Sequence, residues 1–448
     1  MLDSRRNRSR LPKGVNGISS SSKGDTGPCC RCHLDGALNS VHFSICLERH
    51  PPPTKQPPRL VRMSANVADY ELFKPLELAP GLTLKNRMVF SPCTRARSDI
   101  KTRCPTDENV KYYSARASAG LIMSEGCAVS EQAYGWYGAP ALYTDEQQEG
   151  WRKIVDAVHA KGGKMFLQLW HMGRQSHPSF HPSNEVASCS SSCYSTGRTH
   201  DSEGNATGFP VTRAMTLEEV HQAIEDHRKC AERAKAAGFD GVEFHGAGGY
   251  LIDEFLQTST NKRTDEYGGS VENRFRFLRE LIEAVTTVYP AERVGVRLSP
   301  NGVYGGMGSE DNYETFTYVI TEMSKMGLCY LATHDGFGFG RSDKCRVFTV
   351  FDLKTLFKGR VMATCSYTRD QAEGVLHAGV ADFVGFGRPF LVNPDLPARF
   401  RNDWPLAEPL PYELFWNAKK GLEGYHVPAY DPKKAEADKE KQANPVDP

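Results

Sequence analysis

The stretch DGVEFHGAGGY, residues 240–250, begins as a short apolar run and ends in polar side chains and glycines. Val242 and Phe244 are β-branched and aromatic, as expected of a strand buried on both faces. His245 and Tyr250 follow in a glycine-rich segment, where the backbone is most permissive. A buried strand that ends this way predicts a parallel sheet whose strand ends carry the function.

Seven further runs of the same character are spaced along the chain. They are RMVFSP (87–92), AGLIMSEG (119–126), KMFLQLWH (164–171), RVGVRLSP (293–300), LCYLATHDG (328–336), GRVMATCS (359–366) and ADFVGFGR (381–388). Amphipathic segments lie between them, and two begin with capping patterns, Thr144 with Gln147 and Thr216 with Glu219. Eight buried strands alternating with helices predict an α/β protein with a single (β/α)8 TIM barrel over about residues 75–405. A doubly wound sheet is the alternative, but its GxGxxG fingerprint after the first strand is missing.

Both ends of the chain depart from this pattern. Residues 1–66 are rich in Arg, Ser and Pro, and they predict a disordered leader, either a transit peptide or an extension before a start at Met63. Residues 67–428 then form the barrel domain, and residues 429–448 a charged tail. A transit peptide would direct the protein to a plastid or mitochondrion, and otherwise we expect it in the cytoplasm. The C-terminus carries no peroxisomal signal.

Composition excludes several classes of function. A formal net charge of +1 argues against nucleic acid or a membrane surface as a partner. No apolar run approaches the roughly 20 residues of a membrane-spanning helix. The 13 cysteines are odd in number and scattered, which favours reduced thiols over disulfides. Cys29, Cys30, Cys32 and Cys46 have poor spacing for a zinc site.

The carboxyl ends of the predicted strands carry a ring of polar residues, and this is the face on which TIM barrels place their active sites. The ring consists of Thr94, Glu125, Gln168, His171, His245, Arg297, His334, Asp335 and Arg388. Its histidines and carboxylates could bind a divalent metal, but no HxH pair ends the first strand and the carboxylates do not cluster. A phosphate-bearing cofactor is favoured, because the loops after the last two strands commonly hold a phosphate. Arg388 would grip that phosphate beside Ser366 and Gly387.

Five long sequence blocks, in order, resemble one known family. They are SPCTRARS, FLQLWHMGR, GFDGVEFHGAGGYLIDEFLQTSTNKRTDEYGGSVENRFRF, GVRLSP and FVGFGRPFLVNPDLPARF. The chain is similar, from Leu72 to Trp416, to the Old Yellow Enzyme family of FMN-dependent NADPH ene-reductases, which includes the oxophytodienoate reductases. This resemblance implies FMN and NADPH as cofactors and a small-molecule enone as substrate, with oxylipin enones as one candidate class. It leaves open whether the protein is a monomer or a homodimer.

The resemblance also implies roles for individual residues. His245 would bind the substrate carbonyl, and Tyr250 would donate a proton. Trp170, Gly248 and Trp416, together with His245, would line the substrate site. The residues implied in FMN binding are Pro92, Cys93, Thr94, Gly126, Gln168, Arg297, Cys365, Ser366, Gly387 and Arg388.

Two residues depart from the family pattern. Gly248 stands where the family has Asn or His as a second donor to the substrate carbonyl, and Ser366 stands where relatives commonly have glycine. Loss of one such donor typically costs about 3–4 kcal/mol of transition-state stabilisation. The alternative functions are therefore a flavin-binding barrel with weak turnover and, less favoured, a metal-dependent barrel hydrolase.

Overall fold

Eight parallel strands close into a barrel in the computed structural model, which describes residues 66–193, 197–334 and 340–436. Neighbouring barrel strands follow one another in the sequence, and the first pairs with the last. The strands are β1 (Met88–Phe90), β2 (Leu121–Ala128), β3 (Met165–Trp170), β4 (Gly241–Gly246), β5 (Val294–Leu298), β6 (Tyr330–His334), β7 (Arg360–Thr364) and β8 (Phe383–Phe386). Each predicted run overlaps one of these strands, so the prediction of a TIM barrel is confirmed.

Helices lie between the strands and after the last strand. They are α1 (Asp107–Ser114), α2 (Asp145–His159), α3 (Leu217–Ala236), α4 (Leu251–Leu256), α5 (Val271–Thr286), α6 (Asn312–Met323), α7 (Val350–Leu356), α8 (Arg369–His377), α9 (Arg388–Val392), α10 (Leu396–Arg401) and α11 (Glu413–Trp416). Thr144 and Thr216 each form the predicted capping box at the start of a helix. Such caps satisfy backbone N–H groups that the first helical turn leaves unpaired.

Three sets of short strands lie outside the barrel among the described residues. A hairpin of Leu76–Ala79 and Leu82–Leu84 packs its leucines in one apolar cluster with Phe166 and Met362 from barrel strands. A second hairpin pairs Thr199–His200 with Ala206–Thr207. The remaining short strands are Ala187–Ser188, Ser192–Cys193 and Val211–Ala214, which form a three-stranded sheet.

Several predictions concern parts of the chain outside the described residues. They are the leader up to residue 65, the cysteines at 29–46, Asp335, and the tail beyond residue 436. Before that point, Tyr430 packs against Trp404 with ring centroids 5.3 Å apart, and its N–H donates to Asp395 at 2.9 Å. Among the described residues, no helix is long and apolar enough to cross a membrane.

Candidate active site

A buried carboxylate, Glu243, bonds two of the predicted site residues, although it is not itself one of those predicted. Arg297 donates to both of its oxygens, from Nε to Oε1 at 2.8 Å and from Nη2 to Oε2 at 3.0 Å. Gln168 Nε2 also donates to Oε1 at 2.8 Å, and the Tyr330 hydroxyl donates to Oε2 at 2.8 Å. Two predicted FMN contacts, Gln168 and Arg297, are therefore held by one carboxylate.

Strand register explains how these side chains meet. Glu243 on β4 pairs with Gln168 on β3 and with Gly295 on β5, so the three lie at one level of the barrel. A Cβ at Gly295 would lie 2.3 Å from the Tyr330 ring, so only glycine lets that ring cross β5 toward Glu243. The sequence does show an acidic residue between Val242 and Phe244. A charged side chain inside a buried strand indicates buried hydrogen-bond or ion-pair partners, because an unpaired buried charge is costly.

His245, Tyr250 and Trp170 form an aromatic group at the carboxyl ends of β3 and β4. The ring centroids of His245 and Tyr250 are 4.8 Å apart, and those of Trp170 and Tyr250 are 5.1 Å apart at an interplanar angle of 87°. Burial, together with His334 and Arg297, holds the pKa of His245 well below its usual range. Burial also raises the pKa of Tyr250 well above 10. At neutral pH the site thus presents a neutral imidazole and a protonated phenol.

Hydrogen bonds to its backbone hold the loop between His245 and Tyr250 in place. Gly248 has a φ of +69°, which favours glycine, and its N–H donates to the Ser299 hydroxyl at 2.8 Å. Gln175 Nε2 donates to the Gly248 carbonyl at 2.7 Å. A Cβ at Gly248 would lie 3.6 Å from its nearest neighbour, a ring carbon of Tyr250. The loop therefore has room for a side chain at this position.

The segment after β1 is anchored by Glu125, which is only 1 % exposed. Its Oε2 accepts the backbone N–H groups of Arg95 and Ala96, each at 2.9 Å. The preceding residues, Pro92–Thr94, are half-buried at the end of β1. Glu125 therefore positions the loop that carries Thr94.

The loop after β7 contains two consecutive residues with left-handed backbone. Cys365 has a φ of 81° and Ser366 a φ of 75°. The Ser366 hydroxyl accepts a hydrogen bond from Arg388 Nη2 at 3.0 Å. Left-handed backbone can gather N–H groups into a concavity that binds anions, and Arg388 adds a fixed positive charge. This corner also adjoins the segment after β1, because a Cβ at Gly387 would lie 3.0 Å from Cys93 Sγ.

Comparison with known proteins agrees with this geometry. Residues 71–407 match the NADH:flavin oxidoreductase / NADH oxidase family. The chain belongs to the Old Yellow Enzyme family. It is 38% identical to 12-oxophytodienoate reductase 2 of Arabidopsis thaliana over 72% of this chain and 86% of the relative. It is 36% identical to a probable flavin mononucleotide-dependent alkene reductase of Leishmania infantum, over 79% of this chain and 96% of the relative.

Solved structures of Old Yellow Enzyme relatives share the fold. Morphinone reductase superposes with a TM-score of 0.76 at 37% identity, covering 81% of this chain and 97% of the other. The Old Yellow Enzyme homologue of Zymomonas mobilis gives a TM-score of 0.74 at 38% identity, covering 80% and 100%. The predicted family, fold and class, an FMN-dependent oxidoreductase, are thereby confirmed.

The donors of this Old Yellow Enzyme site fit FMN. Gln168 and Arg297 supply N–H groups suited to the edge of a polar ring, while Arg388 and the left-handed backbone beside it suit a phosphate. A Cβ at Gly126 would lie 2.7 Å from the Trp170 ring, so only a glycine backbone fits beneath that ring. An anion site and a polar-edge site at one barrel mouth match the two ends of a flavin nucleotide.

Trp416 packs among other aromatic residues. Its rings contact Trp136, Tyr412 and Phe415, with the Trp136 centroid 6.4 Å away. Trp136 in turn lies 5.8 Å from His200 of the second hairpin. Within the described residues, the ring contacts recorded for Trp416 do not include His245 or Tyr250. Trp416 therefore belongs to an aromatic wall with Trp136 and His200.

Arg95 holds the segment that carries Trp416. Its guanidinium is buried and donates to the carbonyls of Phe415 at 2.8 Å and Gly424 at 3.0 Å. Because Arg95 directly follows Thr94, one residue ties the chain's C-terminal segment to the loop after β1. The sequence offers no sign of this link, since the partners are about 320 residues apart.

The structure gives the metal alternative no support. The described residues contain no group of three or more metal-ligating side chains. His171 is a packed residue, with Nε2 2.5 Å from Gln132 Oε1 and Nδ1 accepting the Gly173 N–H. Glu125 is occupied with backbone N–H groups. Two members of the predicted polar ring, His171 and Glu125, thus stabilise loops by accepting hydrogen bonds from loop N–H groups.

A buried acid near the site makes stability depend on pH. Glu254 is 0 % exposed, accepts the Arg174 N–H at 2.7 Å, and burial raises its pKa to about 7. Because this pKa lies above the unfolded value, the contribution of Glu254 to stability is full below pH 4.5 and falls as pH rises through 7. The side chain in Glu254→Gln cannot ionise. We therefore expect the free energy of unfolding of this variant to rise by about 3 kcal/mol relative to that of wild type between pH 5 and pH 9.

Urea unfolding of both proteins at pH 5 and pH 9 measures this difference. Glu322→Gln is the control, because Glu322 lies on the surface of α6 and pairs with Lys325. If the difference in unfolding free energy between Glu254→Gln and wild type stayed constant with pH, the raised pKa assigned to Glu254 would be contradicted.

Proposed function

We propose that this protein is an NADPH-dependent ene-reductase that reduces the C=C bond of α,β-unsaturated carbonyls. The observation that carries the proposal is the pairing of His245 with Tyr250, whose ring centroids are 4.8 Å apart at the barrel mouth. An ene-reduction needs a donor at the carbonyl oxygen and an acid at the α-carbon. A neutral imidazole and a protonated phenol provide these two groups.

Four groups of residues would hold FMN in this proposal. Thr94, with Pro92 and Cys93, lies after β1, and Gln168 and Arg297 offer donors to the pyrimidine edge. Gly126 allows close approach of the backbone at β2. The phosphate would be bound by Cys365, Ser366, Gly387 and Arg388. When bound, FMN would supply the two-electron hydride chemistry that links the nicotinamide to the alkene.

The side chains around the substrate have separate tasks. His245 donates a hydrogen bond to the carbonyl oxygen, where negative charge develops as the alkene is reduced. Tyr250 keeps its proton because its pKa is raised, and it delivers that proton to the α-carbon. Trp170 is 2 % exposed and packs edge-to-face on Tyr250, which fixes the orientation of the phenol.

The relatives support this assignment in two respects. The curated relatives include 12-oxophytodienoate reductases and an alkene reductase, whose names describe reductions of this type. A structure of morphinone reductase contains tetrahydroNAD, a nicotinamide ligand. We propose NADPH as the reductant here, with oxylipin enones as one substrate class.

Purified protein tests the proposal directly. We expect a yellow protein with flavin absorbance that consumes NADPH in the presence of 2-cyclohexenone and forms cyclohexanone. Parallel assays with NADH decide the preference between the two nucleotides. A colourless protein, or NADPH oxidation without any saturated ketone, would refute the proposal.

Substitution of Gly248 by asparagine is expected to increase the activity on enones. Gly248→Asn adds a second donor near the carbonyl, and there is room for it because a Cβ would lie 3.6 Å from Tyr250. Asn also tolerates the left-handed φ of +69° better than most residues do. Because one such donor is typically worth 10²- to 10³-fold in rate, we expect kcat/KM for 2-cyclohexenone to rise at least about tenfold.

Gly248→Ala is the matched control, since it also places a Cβ at this left-handed position but adds no donor. Unchanged kcat/KM in Gly248→Asn would mean that another group already supplies the second hydrogen bond. A wild type that binds FMN without turnover, combined with an active Gly248→Asn, would favour the second candidate function, a flavin-binding barrel with weak turnover.

A further inference from the structure

We propose that Glu243 is a positioning residue that sets the reduction potential of the bound flavin by partly neutralising Arg297. The inference rests on the proposed function, in which Arg297 lies beside the pyrimidine edge of FMN. It concerns a residue that would not touch the cofactor itself and acts only through its partners.

The Glu243–Arg297 pair is buried and directional. The Glu243 side chain is 0% exposed and that of Arg297 is 3% exposed. Two parallel hydrogen bonds, of 2.8 and 3.0 Å, join the guanidinium to both carboxylate oxygens. Water screens such a pair far less than a surface pair, so the charge of the carboxylate is felt strongly at the guanidinium.

The other groups around Arg297 leave Glu243 as its counter-charge. His245 and His334 both face Arg297, and burial lowers the pKa of each, that of His334 to about 3, so both are neutral. Arg297 Nη1 contacts the Thr364 hydroxyl at 3.5 Å and Nη2 contacts Met362 Sδ at 3.7 Å, and neither partner is charged. Among the described residues, Glu243 is the carboxylate bonded to this arginine.

The same carboxylate also orients Gln168, the other donor to the pyrimidine edge. Its oxygens accept four hydrogen bonds in all, two from Arg297, one from Gln168 and one from Tyr330. Arg297 and Gln168 are thereby fixed before any ligand arrives, which lowers the cost of ordering them on binding.

The sign of the electrostatic effect follows from this arrangement. Reduction places negative charge at the pyrimidine edge, and the positive guanidinium stabilises that charge. Glu243 offsets part of the guanidinium's field, so the pair stabilises the reduced flavin less than a lone arginine would. Glu243→Gln keeps the shape and one acceptor oxygen but removes the opposing charge, and it should raise the potential.

The reduction potential of the holoprotein, measured against a reference dye, tests the inference. We expect Glu243→Gln to favour reduced over oxidised FMN at least tenfold more than wild type does, a rise of about 30 mV for a two-electron couple. Tyr330→Phe is the matched control, because it removes one hydrogen bond to the same carboxylate and keeps the charge. In Tyr330→Phe the ratio of reduced to oxidised FMN should change by less than twofold.

A double variant keeps the test decisive if Glu243→Gln does not fold. The double variant Glu243→Gln with Arg297→Gln removes both charges. Its ratio of reduced to oxidised FMN should stay within tenfold of wild type, because the pair carries almost no net charge in the native protein. A far larger fall would show that Arg297 exerts its full charge and would overturn the inference. So would an unchanged or lowered potential in yellow Glu243→Gln protein, whereas a colourless wild type would overturn the proposed function instead.

Discussion

Replacing Tyr250 with phenylalanine is expected to lower kcat for the proposed enone reduction by about 10²- to 10⁴-fold, the usual contribution of a general acid. The variant keeps the ring that packs on Trp170 and His245 and loses only the hydroxyl. FMN binding and flavin bleaching by NADPH stay near wild type, because these steps do not need the phenol. The loss therefore falls on the half of the cycle that transfers a proton to the substrate.

Stopped-flow measurement of the two half-reactions separates these effects for Tyr250→Phe. Tyr304→Phe is the matched control, since the Tyr304 phenol bears on the pKa of Tyr250 without being assigned a proton to deliver. A loss of less than about threefold in the enone half-reaction of Tyr250→Phe would remove Tyr250 from the mechanism.

The pKa shifts also fix the shape of the pH profile. A general acid must be protonated, and burial raises the pKa of Tyr250 well above 10, so its proton remains in place at alkaline pH. Burial lowers the pKa of His245 well below its usual value, so the imidazole is neutral above about pH 6.5. We therefore expect kcat to be flat from about pH 7 to pH 9.5 in wild type.

The barrel was predictable from sequence because its signals are local. A strand buried on both faces is largely apolar, and each of the eight runs contains such an apolar stretch. The helix starts at Thr144 and Thr216 are equally local, since a capping box needs only two residues three positions apart. Family motifs then placed His245 and Tyr250 together, and the ring distances confirm that they meet.

Links between distant residues were not predictable. Nothing near Arg95 in sequence shows that its guanidinium donates to Phe415 and Gly424. Glu243 carried a signal, an acid in a buried strand, but its partners could be identified only from the strand register. Trp416 was expected at the substrate, and its ring contact with Trp136, 6.4 Å between centroids, could not be read from the sequence.

Ser366 shows what structure adds to a departure already visible in the sequence. The sequence shows only that serine replaces a glycine common in relatives. The φ of 75° explains why glycine is favoured there, because a left-handed residue other than glycine costs about 1–2 kcal/mol. The hydrogen bond from Arg388 to the Ser366 hydroxyl offsets part of that cost and holds the arginine over the loop.

Arg388→Ala is expected to weaken FMN binding about 10- to 100-fold, the range for losing a hydrogen bond to a charged group at a partly exposed site. Titration of deflavinated protein with FMN, followed by quenching of flavin fluorescence, measures the affinity. Riboflavin is the matched ligand, because it has the same ring system and no phosphate. Its affinity should be equal in Arg388→Ala and wild type, and a parallel loss for both ligands would show that Arg388 does not bind the phosphate.

Ser366→Gly completes this test because it separates the backbone from the hydroxyl. Glycine accepts a φ of 75° without strain, so we expect the variant to be about 1 kcal/mol more stable than wild type to urea. The backbone N–H groups of the loop remain, so FMN affinity should change by less than about threefold. If Ser366→Gly instead lost affinity as strongly as Arg388→Ala, the serine hydroxyl rather than the left-handed backbone would be the essential element of the phosphate corner.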